Sequence, residues 1–100
     1  MSALKQHRLV RSDLAKAFHW YEDQSAGLGQ DLLAGVRSLY SRLPRTARHH
    51  SRRYGEIRRV NLKRFPYGIF YVIVGADVRV LGVLHDRSDH RTILAARWPK

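Results

Sequence analysis

The chain has 100 residues and no cysteine, which excludes a disulfide framework and a zinc–thiolate site and limits it to one compact core. Its net charge of +11 arises after residue 31, since residues 1–31 carry four basic and four acidic groups and residues 32–100 carry fifteen and four. Fifteen of the nineteen basic residues are arginine. Because the planar arginine side chain suits phosphate and carboxylate groups, the composition predicts an anionic partner, either nucleic acid or an acidic protein segment.

Two helices dominate the first half of the predicted fold. Residues 7–11 form a short possible strand, and a helix over 13–25 follows, with apolar residues at helical spacing. The glycines in AGLG, at 26–29, permit a tight reversal of the chain. A second helix over 28–43 ends at Pro44, which cannot continue a helix. The two apolar stripes predict an antiparallel helical hairpin.

The second half is predicted as a basic loop followed by three strands. Residues 45–56 are polar and lack apolar periodicity, which predicts a loop. Strands are predicted over 57–62, 67–74 and 78–85. The residues Gly-Ala-Asp at 75–77 form a hairpin turn between the last two strands. The last segment, 89–98, fits either a short helix or an extended tail.

This order of elements predicts an α+β fold, β-α-α-β-β-β, with an antiparallel sheet and a two-helix hairpin packed on one face. The other face, near Arg59 and Asn61, is expected to stay open. No linker or repeat divides the chain, so we interpret residues 1–100 as a single domain. The sequence has no apolar stretch of about 18 residues and no apolar signal segment, which predicts a cytoplasmic protein without a membrane span.

Three segments of the sequence form a specific combination: WYEDQSAGLGQDLL at 20–33, RFPYGIFYVIV at 64–74 and VLGVLHDRSD at 80–89. Together they resemble the RelE/ParE superfamily of type II toxin–antitoxin toxins. The similarity covers nearly the whole chain, and the fold of that superfamily is the β-α-α-β-β-β arrangement. The resemblance implies a small bacterial toxin that is neutralised by a cognate acidic antitoxin in a hetero-oligomer.

The resemblance leaves two activities open. RelE-like members are ribosome-dependent mRNA endonucleases, whereas ParE-like members generally inhibit DNA gyrase and carry no known nuclease site. RNA cleavage needs a base, a cation for the phosphorane and an acid for the leaving oxygen. RelE-like toxins supply these groups from basic residues on the sheet and a tyrosine near the C terminus.

Two of these positions are empty in this chain. The basic pair of the second strand falls at Arg59 and Asn61, the arginine of the third strand falls at Gly68, and no tyrosine follows Tyr71. The resemblance therefore favours the ParE-like, plasmid-stabilisation type. It implies a toxin that binds a macromolecular target, DNA gyrase, rather than an enzyme.

His85, Arg87 and His90 support the second hypothesis, a ribosome-dependent mRNA endonuclease. Histidine transfers protons near neutral pH, and the strand-end arginine of the nucleases falls near His85–Arg87. The structural alternative is that Asp86 or Asp89 pairs with a nearby arginine and fastens the C-terminal tail to the sheet edge. The candidate arginines are Arg87, Arg91 and Arg97.

The basic residues of the strands and tail are the predicted binding surface for antitoxin and target. They are Arg58, Arg59, Lys63, Arg64, Arg79, Arg87, Arg91 and Arg97. A third hypothesis is a non-toxic module that binds nucleic acid through the loop at 45–56, although few aromatic residues interleave with the basic ones. The segment GLGQDLL follows a helix rather than a strand, and the histidines lack a ligand spacing, so we predict no cofactor and no metal.

Overall fold

The computed structural model describes residues 3–99, which form three α-helices, one 3₁₀ turn and five strands. The helices are α1 (Val10–Gln24), α2 (Leu28–Thr46) and α3 (His90–Ala95), and the 3₁₀ turn spans Ala47–His49. The strands are β1 (Leu4–Gln6), β2 (Arg52–Tyr54), β3 (Ile57–Asn61), β4 (Tyr67–Val74) and β5 (Asp77–His85). None of the helices within residues 3–99 is long and apolar enough to cross a membrane.

The five strands form one sheet in the order β1-β5-β4-β3-β2. The pairs β2–β3, β3–β4 and β4–β5 are antiparallel, whereas β1 runs parallel to β5. The predicted α+β fold is therefore confirmed, with a parallel edge strand that the sequence did not reveal. The three predicted strands correspond to β3, β4 and β5, and the hairpin of α1 and α2 is also present.

The strand predicted over 7–11 is wrong, because the N-terminal strand lies earlier, at β1. A turn follows β1, in which the amide of Val10 donates to the carbonyl of His7 at 2.9 Å. The His7 ring also accepts from the amide of Leu9 at 3.1 Å. Val10 is fully buried and begins α1, so its apolar side chain belongs to the helical face rather than to an alternating strand.

The end predicted for α2 is also wrong, since the helix continues through Pro44 to Thr46. A proline in the last turn removes only one backbone hydrogen bond. Two neighbouring carbonyls also accept from side chains: that of Ser41 from Arg45 at 3.4 Å, and that of Arg42 from the Thr46 hydroxyl at 3.2 Å. The helix therefore runs past Pro44, at which only the donor to the carbonyl of Tyr40 is missing.

The segment predicted as a loop over 45–56 is instead ordered as the end of α2, the 3₁₀ turn and β2. Two side chains from the sheet hold it. The Tyr71 hydroxyl donates to the carbonyl of Ala47 at 2.5 Å, and Arg58 donates to the carbonyl of His50 at 2.7 Å. Burial raises the pKa of Tyr71 to about 12, so this hydroxyl remains a donor near neutral pH. Neither anchor lies within the segment, which explains why local periodicity missed it.

Apolar layers cover both faces of the sheet. Successive β4 residues point to opposite faces, so Ile69 packs in the cluster with α1 and α2 while Phe70 packs in a second cluster. The second cluster contains Leu94 of α3, with Trp98 against its margin. The C-terminal segment therefore covers part of the face that was expected to stay open; the expectation is wrong for Arg59, whereas Asn61 remains exposed.

Candidate functional site

The centre of the candidate site is Arg59 of β3, on the face that α3 covers. Its side chain is only 10% exposed. The guanidinium forms an ion pair with Asp86 after β5, donates to the side chain of Asn61 at 2.5 Å, and lies over the ring of Phe70 at 5.0 Å from the centroid. Each side of this cation therefore already has a partner from within the chain.

Gly68 of β4 provides the space that Arg59 occupies. The two strands are in register with Arg59 opposite Phe70 and Asn61 opposite Gly68. A Cβ atom at position 68 would collide with the Arg59 guanidinium. Glycine at position 68 thus leaves the room that the Arg59 guanidinium uses, and it lets Arg59 reach across to Asp86.

His90, one of the candidate nuclease residues, is buried in the second cluster at the start of α3. Its Nε2 donates to the carbonyl of His85 at 2.8 Å, because a carbonyl oxygen can only accept. The Tyr54 hydroxyl lies 3.3 Å from Nδ1 and donates to it, and the imidazole ring packs against Phe70. Both ring nitrogens are therefore occupied, which fits a structural residue rather than one that exchanges protons with a substrate.

His85 and Arg87 lie closer to solvent at the end of β5. The Nδ1 of His85 accepts from the amide of Arg87 at 3.0 Å, and its ring meets the edge of Tyr67. Of the two ring nitrogens of His85, Nδ1 is therefore hydrogen-bonded and Nε2 has no hydrogen-bond partner within residues 3–99. Arg87 is exposed, so this corner of the sheet offers one imidazole nitrogen and one cation.

The predicted pairing of Asp86 or Asp89 with an arginine of the tail is wrong, although the tail is fastened to the sheet edge. Asp86 pairs with Arg59, as described above. Asp89 caps α3 instead and accepts from the amide of Thr92 at 3.3 Å. Hydrogen bonding from the Thr92 side chain, and then from its amide, lowers the pKa of Asp89. Arg91 lies over the ring of Tyr54 rather than on a carboxylate.

Arg97 fastens the tail by an ion pair with Asp13 of α1, in which both side chains are about nine-tenths buried. The pair fills the edge of β5 beyond the end of β1, at a bulge that leaves Leu81 without a partner on β4. Arg97 donates to the carbonyl of Leu81 at 2.9 Å, and the amide of Val83 donates to Asp13 at 3.1 Å. One ion pair therefore joins α1, β5 and the C-terminal tail.

These contacts narrow the predicted binding surface. Three members of that surface already bind carbonyls or carboxylates within the chain through their guanidinium groups, namely Arg58, Arg59 and Arg97. The remaining five members are partly or fully exposed, namely Lys63, Arg64, Arg79, Arg87 and Arg91. Within residues 3–99, no three side chains among the histidines, aspartates and glutamates lie close enough together to hold a metal ion.

A groove of about 440 Å³ lies beside Lys63 and Arg64, between α2 and the β3–β4 connection. Its floor is apolar and includes Leu39, Leu62 and Phe65. Arg42 joins Lys63 and Arg64 on its rim. The groove combines an apolar floor with a cationic rim, and sequence reasoning missed it because α2 and β3 come together only in the fold.

The α+β arrangement has the order of elements that the RelE/ParE resemblance implied. The sequence model described as ParE toxin of type II toxin-antitoxin system, parDE, matches residues 4–90. The chain therefore belongs to the ParE toxin family, as its three sequence segments predicted.

A solved structure shares this fold. It is described as the chromosomal ParDE TA system from P. aeruginosa, and the superposition has a TM-score of 0.76 at 18% sequence identity. The match covers 85% of this chain and 96% of that chain. Among curated proteins, none matches the sequence significantly.

Proposed function

We propose that this ParE-family chain inhibits bacterial growth by binding DNA gyrase in the cytoplasm and does not cleave RNA. The absence of RNA cleavage is carried by the closed environment of Arg59, and the choice of gyrase rests on membership of the ParE toxin family. The sheet position at which a nuclease would present a basic group holds an arginine that is neutralised by Asp86 and shielded by Phe70. Such a cation has little capacity left to stabilise a phosphorane.

The chain also offers few side chains that could act as general base, general acid or second cation in RNA cleavage. Gly68 brings no side chain, and His90 is buried with both nitrogens hydrogen-bonded. His85 with Arg87 would have to provide base, acid and charge stabilisation together. General acid and base catalysis divides these roles between groups in different protonation states, so the pair is a poor nuclease. A binding mode of action makes no such demand.

The test of the target uses purified gyrase and a coupled translation reaction in parallel. The purified chain is expected to inhibit ATP-dependent supercoiling of relaxed plasmid and to accumulate gyrase-cleaved DNA. Messenger RNA translated in its presence should stay intact. Codon-phased cuts in ribosome-bound transcripts, lost in His85→Ala or Arg87→Ala, would contradict the proposal. In cells, gyrase inhibition predicts filaments and an SOS response with intact transcripts.

The proposal includes neutralisation by an acidic antitoxin segment in the groove beside Lys63 and Arg64. Charge complementarity supports this occupant, since the rim adds Arg42 and the only acid that lines the groove is Asp31. An amphipathic helix can place its apolar face on Leu39 and its carboxylates against the rim. An interface of this kind joins an apolar core to a polar rim, which is the usual anatomy of protein recognition.

Charge reversal on the rim tests this assignment with the cognate antitoxin, which is to be sought as a small acidic protein encoded next to the toxin gene. The variant Arg42→Glu with Lys63→Glu is expected to weaken the complex at least about 10-fold, or ~1.4 kcal/mol, because like charges then face the antitoxin. The matched control reverses two exposed cations on and before α1, Arg8→Glu with Lys16→Glu. Titration calorimetry that finds equal affinities for the two variants would place the antitoxin elsewhere.

A further inference from the structure

A second basic surface lies on the side of the sheet where α2, the 3₁₀ turn and β2 meet. Two shallow depressions of about 180 and 200 Å³ lie next to each other and share Arg48 and Ile73. Arg45 lines the first depression, and Arg52 lines the second together with the half-buried Arg58. We call Arg45, Arg48 and Arg52 the arginine row, because shared depressions connect these three exposed residues.

The arginine row carries charge that the chain does not compensate. Residues 42–58 contain six arginines and one acid, Glu56. Within residues 3–99 the ion pairs involve Arg59, Arg64 and Arg97, and none involves a member of the row. The two depressions therefore bring three cations to one surface on which Glu56 is the one acid, and this excess of positive charge favours binding of an external anion.

The backbone that carries the row is fixed. Tyr71 and Arg58 hold the carbonyls of Ala47 and His50, and a further hydrogen bond of 3.4 Å joins Arg58 to the carbonyl of Arg48 itself. The three arginines thus extend from an ordered frame rather than from a free loop. Because this backbone is already ordered in the free protein, binding of a ligand to the arginine row loses less conformational entropy.

The lining of the depressions indicates the class of anion. Among the described lining residues the one aromatic ring is the imidazole of His49, too few rings for a row of stacked bases, and Ile73 is the one large apolar side chain common to both depressions. Protein partners need an apolar centre, and single strands need stacking platforms, whereas a phosphate backbone needs only fixed cations. The groove beside Lys63 has the apolar floor that the row lacks, so the two surfaces differ in chemistry.

We propose that the arginine row binds the phosphate backbone of duplex DNA without sequence preference. This is a second interaction surface, separate from the antitoxin groove and independent of which enzyme the toxin inhibits. If the chain acts on gyrase, the row would raise its local concentration on the DNA that gyrase holds. DNA binding by the toxin alone requires neither gyrase nor antitoxin.

Anisotropy of a labelled mixed-sequence duplex of about 20 base pairs tests the proposal with the full chain. The wild type is expected to bind, with an affinity that falls steeply between about 50 and 200 mM salt. The variant Arg45→Gln/Arg48→Gln/Arg52→Gln should bind at least about 10-fold more weakly at the lower salt. Its logarithmic salt slope should be smaller by about 2–3, because each lost phosphate contact removes roughly one unit.

The matched control removes three exposed cations elsewhere, Arg8→Gln/Lys16→Gln/Arg37→Gln, and changes the net charge equally. It should keep the wild-type salt slope. Equal slopes in the two triple variants, or no binding by the wild type at about 50 mM salt, would overturn the proposal. Competition by polyglutamate as strong as that by unlabelled duplex would overturn it in favour of an acidic protein segment. Failure of gyrase inhibition would leave this result unchanged, so the two proposals can fail separately.

Discussion

Replacing Arg97 by methionine is expected to lower the free energy of unfolding by about 3–5 kcal/mol. The change keeps most of the apolar stem but leaves the Asp13 carboxylate buried without its partner, and it also removes the donor to the Leu81 carbonyl. Breaking a buried ion pair on one side costs far more than the pair contributes, because the remaining charge cannot be hydrated. Urea denaturation followed by circular dichroism measures the effect.

The matched control is Arg64→Met, which removes the same group from an exposed pair. Arg64 and Asp31 are 66% and 51% exposed and 3.5 Å apart, so this variant should lose less than about 1 kcal/mol. If Arg97→Met does not fold, the double variant Asp13→Leu/Arg97→Met decides the matter. It should recover much of the stability, since apolar replacement of a whole buried pair is often neutral. Equal losses in Arg97→Met and Arg64→Met would contradict the role assigned to Asp13.

The sequence predicted the core of this fold but not its edges. The apolar periodicities of α1, α2, β4 and β5 reflect burial against near neighbours along the chain, and they located these elements to within a few residues. The short edge strands β1 and β2 carry three residues each; β1 depends on β5, more than 70 residues away, and β2 pairs with the adjacent β3 in an irregular register. No local pattern distinguishes such segments from loops.

The candidate site shows the same division. The sequence identified the polar residues at the end of β5 but assigned the wrong partners to Asp86 and Arg97. Their true partners, Arg59 and Asp13, lie 27 and 84 residues away in the chain. Ion pairs between residues so far apart in the sequence depend on the sheet register and on the position of the helix. The spacing of residues along the sequence does not predict them.

The substitution Gly68→Ala is expected to lower the free energy of unfolding by about 2 kcal/mol. The sequence shows only that an arginine of the related nucleases is absent. In the structure, a Cβ atom at this position would collide with Arg59, and Arg59 is confined there by Asn61, Asp86 and Phe70. The guanidinium would have to leave its partners to make room.

A double-mutant cycle isolates this cause. In the background Arg59→Ala the substitution at position 68 should cost little, because the colliding atoms are gone, so the coupling energy should exceed about 1 kcal/mol. Gly35→Ala in α2 is the control: a Cβ atom there meets Leu62 at an ordinary 3.8 Å, and the helix should gain about 0.5–1 kcal/mol. Additive costs at positions 59 and 68 would show that Gly68 is not retained for Arg59. Coupling would instead explain the missing nuclease arginine by packing: the sheet cannot hold both Arg59 in its closed site and a second arginine opposite Asn61.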